Sequence, residues 1–98
     1  MSVEVTVRHL DISETIQQFA HAKADKLMGE FKPIEFVRIV LDKDGPFYLS
    51  ETFVQGGRHM NAEGKHRDSD MITAINVSVE RVETQLRKQM EKLHEVRP

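Results

Sequence analysis

The sequence predicts an α+β fold, a two-layer sandwich in the order β-α-β-β-β-α. Four strands form one sheet, and two helices pack on one face of it. Three observations carry this prediction. Two stretches, Ile16 to Phe31 and Ile72 to Leu93, repeat apolar residues at helical spacing. Four shorter stretches are rich in β-branched or alternating residues. Cap or turn residues stand between consecutive stretches.

Val3, Val5 and Val7 alternate with Glu4, Thr6 and Arg8, so the chain opens on a half-buried strand. Asp11 and Ser13 follow, both good N-cap residues because their oxygens accept from free backbone N–H groups. From Glu14 to Phe31, Ile16, Phe19, Ala20, Ala24, Leu27, Met28 and Phe31 give one apolar helix face. Gly29 and Pro33 are its stop signals. Residues 35–42 predict the second strand, with Val37, Ile39 and Leu41 on one face and Phe36, Arg38 and Val40 on the other. Asp44-Gly45-Pro46 is a turn, and residues 47–55 predict the third strand. Gly56-Gly57 signals a hairpin. Residues 58–64 predict a short, polar fourth strand at a sheet edge, where charge discourages aggregation. Lys65 to Asp70 reads as a loop ending in N-cap chemistry. A long helix then runs from Met71 to about Glu95, with Ile72, Ile75, Val79, Val82, Leu86 and Leu93 on its stripe and a break at Gln89. The first two strands, joined through a helix, should pair in parallel by a right-handed crossover. The next three should form an antiparallel meander, whose outer face can meet water.

The 98 residues correspond to one domain, 1–98. There is no cysteine, which excludes disulfides, Cys-ligated metals and a Cys nucleophile. No apolar run approaches the roughly 18 residues of a membrane span, and the N-terminus has no signal-peptide core. The expected location is cytoplasmic, with no membrane partner. The net charge of −2 excludes a protein that coats nucleic acid all over, and no DNA partner is expected. Charge placement matters more than its sum. Residues 1–49 hold six basic and eight acidic groups, whereas Gln85 to Pro98 hold four basic and two acidic ones.

At about 100° per residue, Arg81, Gln85, Lys88 and Lys92 fall on one line of the second helix. That ridge is about 16 Å long, enough for two or three phosphates of one strand, and is expected to face away from the core. Glu83, Arg87 and Glu91 lie on a neighbouring face as i,i+4 pairs of opposite sign. A solvated helix face explains these charges too. Their separation by sign favours a phosphate-binding ridge. Lys23 and Lys26 form a second, smaller basic pair on the first helix. The histidines lack zinc-motif spacing, and no phosphate-binding glycine loop or nucleophile motif occurs, so neither metal nor cofactor is expected. Glu51 and Glu63 are weak candidates for paired acid–base carboxylates. Phe47, Tyr48 and Phe53 are candidates for base stacking, or for core.

Several stretches together resemble one family. They are Thr6-Val7-Arg8-His9-Leu10-Asp11-Ile12-Ser13, the Lys23, Lys26, Leu27, Phe31 spacing, and Val54-Gln55-Gly56-Gly57. In the second helix they are Asp70-Met71 with Ala74-Ile75, then Gln85-Leu86-Arg87-Lys88 and Glu91-Lys92-Leu93. Their order and spacing resemble the ribosome hibernation-promoting factors, which include the ribosome-associated inhibitor protein Y. The resemblance implies a non-enzymatic regulator that binds the small ribosomal subunit and its rRNA in the mRNA and tRNA channel, and inhibits translation in stationary phase or stress. It implies RNA contacts from Lys23, Lys26, Arg81, Arg87, Lys88 and Lys92. It also implies a short-form factor, without a C-terminal dimerising domain, that is a monomer off the ribosome. The chain departs from the family pattern at Val7, Gly29, Glu30, Thr84 and Met90, which thins the basic ridge. The rival expectation is a generic RNA-binding or protein-adaptor module of similar topology.

Overall fold

The computed structural model describes residues 2–57 and 59–95, with side chains through Lys92. Its elements are β1 (Ser2–Val7), α1 (Glu14–Glu30), β2 (Ile34–Asp44), β3 (Phe47–Gly56), β4 (Asn61–Asp68) and α2 (Met71–Glu95). They occur in the predicted order. The sheet runs β1-β2-β3-β4, with β1 parallel to β2 and the other pairs antiparallel. Among the described residues no helix is long and apolar enough to cross a membrane.

Alternation dictates which residues are buried. Val3, Val5 and Val7 stand opposite Val37, Ile39 and Leu41. These in turn stand opposite Val54, Thr52 and Ser50. Against this face α1 packs Ala20, Ala24 and Leu27, and α2 packs Ala74, Ile75, Val79, Val82 and Leu86. The small alanines of α1 let the helix approach closely. Both helices are pinned at their starts. Ser13 Oγ accepts from Ile16 N at 3.2 Å, and Asp70 Oδ2 accepts from Thr73 N at 3.0 Å. Leu93, the last residue of the predicted stripe, lies outside the described side chains.

The fourth strand corrects the sequence reading. It spans Asn61–Asp68 rather than 58–64, so the expected loop at Lys65 to Asp68 is strand. Gly57 to Met60 form the turn, where Met60 N donates to Gly57 O at 3.1 Å, and Arg58 lies outside the described residues. The misreading has a physical cause. The inward positions of β4 are Ala62, Gly64 and His66, which lack the bulky apolar side chains that mark a strand. Gly64 is small because α2 lies directly on it. A Cβ on Gly64 would run into the Ser78 carbonyl oxygen and stand 2.9 Å from Arg81 Cβ. As predicted, β4 is an edge strand.

Beside that approach lies a fully buried hydroxyl cluster. Ser78 Oγ donates to Ile75 O at 3.0 Å. It is also 2.9 Å from both Ser50 Oγ and Thr52 Oγ1. One proton and two lone pairs are thus all used, and β3 is tied to α2 without an unsatisfied group.

Candidate nucleic-acid interface

The six residues predicted to meet RNA form two patches, and Arg87 joins the Lys23 and Lys26 pair. Lys23 and Lys26 project from α1 into a small cleft against α2, which also holds Glu30, Val79 and Glu83. Lys23 Nζ sits over the Phe19 ring, 5.4 Å from its centroid, and Lys26 Nζ is 3.9 Å from Glu30 Oε1. Arg87 belongs to this side, because its guanidinium donates to Glu83 at 3.3 Å, the i,i+4 pair expected from the sequence. The charge of this patch is therefore partly answered by carboxylates.

Arg81, Lys88 and Lys92 lie on the other flank of α2. All three are exposed, and none makes an ion pair among the described residues. Their line passes through Gln85, and Gln85 touches the sheet. Gln85 Nε2 donates to Glu63 O at 2.6 Å, and Glu63 N donates to Gln85 Oε1 at 3.2 Å. One turn on, Gln89 Nε2 donates to Asn61 O at 2.6 Å. The ridge thus flanks the β4 edge instead of standing opposite the sheet. Gln85 is no phosphate donor, because its amide is spent on the edge strand's free backbone. Gln89 breaks the apolar stripe for the same reason.

Around this flank the described residues show no cluster of His, Asp and Glu that could hold a metal ion. Two carboxylates are held ionised to lower pH. His9 Nδ1, 3.0 Å from Asp42 Oδ1, and the Lys43 N–H hold Asp42 below the usual carboxylate range. The backbone N–H of Asp70 and the His66 ring do the same for Asp68 at the entry to α2. Glu51 and Glu63, weak acid–base candidates in the sequence, stand on neighbouring strands but diagonally, opposite Lys65 and Phe53 respectively.

The chain matches the family described as Sigma 54 modulation protein / S30EA ribosomal protein over residues 3–94. The chain belongs to this family. Among its relatives, the ribosome hibernation promoting factor of Escherichia coli strain K12 is 32% identical over 96 residues, covering 95% of this chain and 97% of that one. The Salmonella typhimurium protein of the same name is 30% identical over the same span. Two solved structures share the fold. A ribosomal subunit interface protein from Coxiella burnetii has a TM-score of 0.82 at 18% identity, covering 93% of this chain and 99% of that one. The N-terminal domain of Thermus thermophilus Protein Y has a TM-score of 0.76 at 24% identity, covering 90% and 98%. The family resemblance read from the residues is therefore borne out, and so is the fold.

One feature of this family member escaped the sequence reading. Lys65 and Arg67 fell in the expected loop, but they are strand residues on the uncovered face of the sheet. Phe36 and Phe53 are half-buried on that same face, whereas Tyr48 packs against the core. Strand alternation continued through Gly64 would have placed Lys65 and Arg67 there.

Proposed function

We propose that this protein is a ribosome hibernation factor that binds the small subunit where mRNA and tRNA would lie and inhibits translation by occupancy, without catalysis. The observation that carries this reading is the match, over nearly the whole of both chains, to relatives named ribosome hibernation promoting factor. The flank of Arg81, Lys88 and Lys92 is the surface that meets rRNA phosphate, since its charge is unanswered within the described protein. Lys23, Lys26 and Arg87 form a secondary contact, weakened by Glu30 and Glu83. The factor acts as one domain, residues 1–98, in the cytoplasm, and is a monomer off the ribosome.

The test is a cell-free translation reaction with added protein, resolved afterwards on a sucrose gradient. The protein should lower synthesis and travel with the small subunit. Unchanged synthesis, with the protein left at the top of the gradient, would remove this reading and leave the generic adaptor.

A further inference from the structure

The uncovered face of the sheet carries a groove of about 630 Å³, within the size range of binding sites. Its floor is a chequerboard on three strands. Phe36, Gln55 and Asn61 form one row, and Arg38, Phe53 and Glu63 form the next. Among the described cations of this face, Arg38 and Arg67 are paired, and Lys65 has a carboxylate opposite it on the next strand. Arg38 Nε is 2.7 Å from Glu4 Oε1, Arg67 is 3.0 Å from Asp44, and Lys65 stands directly opposite Glu51. Glu63 is the carboxylate that lines the groove. It makes no ion pair among the described residues, it stands directly opposite Phe53, and its backbone is clamped on both sides by Gln85.

We propose that this groove is a docking site for an arginine side chain carried by a basic protein segment. A guanidinium is planar and weakly hydrated, stacks on aromatic faces and pairs with carboxylates in a fork. The groove offers each part of that recognition. Its aromatic floor already accepts a guanidinium, since Arg38 lies over the Phe36 ring, 5.5 Å from the centroid. Phe53 offers a second ring, Glu63 a fixed acceptor, and the Gln55 and Asn61 amides carbonyl oxygens for the remaining N–H groups. The arginine belongs to a chain rather than to free amino acid. An α-carboxylate would meet Glu63, and the one cation among the described lining residues, Arg38, is held by Glu4. A nucleotide fits less well, because its phosphate would approach Glu63, and Arg38, the cation among the described residues lining the groove, is already held by Glu4. The molecule thus turns a basic flank to one partner and an acidic, aromatic groove to another.

The experiment uses the ¹⁵N-labelled protein alone, followed by NMR as an end-blocked Gly-Arg-Gly-Arg-Gly peptide is added to millimolar concentration. The expected result is movement of backbone amides at 36–38, 53–55 and 61–63, with weaker movement for the matching lysine peptide. Glu63→Gln keeps the backbone clamp to Gln85 and should weaken arginine-peptide binding about tenfold, as loss of a charged acceptor does. Phe53→Ala should weaken it as well. If Phe53→Ala unfolds, Glu63→Gln still decides. The proposal is overturned if those amides stay still, if Glu63→Gln binds as the parent does, or if oligouridylate moves the same amides more strongly, which would make the groove an RNA site.

Discussion

Gly64→Ala inserts one methyl group where α2 touches β4. Gly64 has no left-handed backbone, so the substitution acts through contact alone. The new Cβ would run into the Ser78 carbonyl oxygen, 2.9 Å from Arg81 Cβ and 3.3 Å from Val82 Cγ2. The oxygen is backbone and cannot rotate away, so the helix must retreat. Overpacking of this kind costs about 1–3 kcal/mol. The stiffer unfolded chain returns about 0.4–1 kcal/mol. The net loss of about 1–2 kcal/mol lowers the melting temperature by about 5–15 °C in a domain of this size. Gly29→Ala is the matched control. Nothing lies within 4 Å of a Cβ there, and the position is an exposed helix site. It should therefore stabilise by about 0.5–1 kcal/mol. Thermal melts of the two variants beside the parent settle the point. A Gly64→Ala protein that melts at or above the parent would refute the close packing of α2 on β4.

Ser78→Ala removes the shared acceptor of the buried Ser50 and Thr52 hydroxyls, and should cost about 1–3 kcal/mol in a urea melt. Asp42→Asn should narrow the stability difference from the parent as the medium becomes acidic. The folded-state pKa of Asp42 is depressed, so its contribution is present above the ordinary value of 3.8 and is lost as pH falls through the lower folded value. Melts from about pH 5 downward would show the parent and variant converging, and a constant gap would count against the His9 contact. Small-subunit binding should weaken with salt at a log–log slope of about −2 to −3 if the Arg81, Lys88 and Lys92 flank acts alone, and about −4 to −5 if the Lys23, Lys26 and Arg87 patch joins it.

The parts of the fold that were legible in the sequence are those where local pattern and tertiary burial agree. Val3, Val5 and Val7 alternate because only one face of β1 is covered. The α2 stripe has helical spacing because Ile75, Val79, Val82 and Leu86 share one sheet-facing side. The illegible parts are those where a neighbour rewrites the pattern. Lys65 to Asp68 read as loop but are strand, since α2 leaves no room for a side chain at Gly64 and the apolar alternation stops there. Gln85 reads as part of the ridge and Gln89 as a break in the apolar stripe, but both satisfy the edge of β4. The basic residues were identifiable by type and helical angle. The grouping of Arg87 with Lys23 and Lys26 was not, because it depends on which flank of α2 meets α1 and which meets β4.

The central claim is that the exposed flank of α2 holds the protein on the small ribosomal subunit. The direct measurement is sedimentation binding to purified small subunits, with the Lys88→Glu/Lys92→Glu double variant beside the parent and a thermal melt of each. Both positions are exposed, so the melts should agree to within about ±0.5 kcal/mol of stability. The account predicts that the parent pellets with the subunits and the double variant stays in solution. A folded double variant that pellets as the parent does would contradict it and reduce the flank to a solvated helix face.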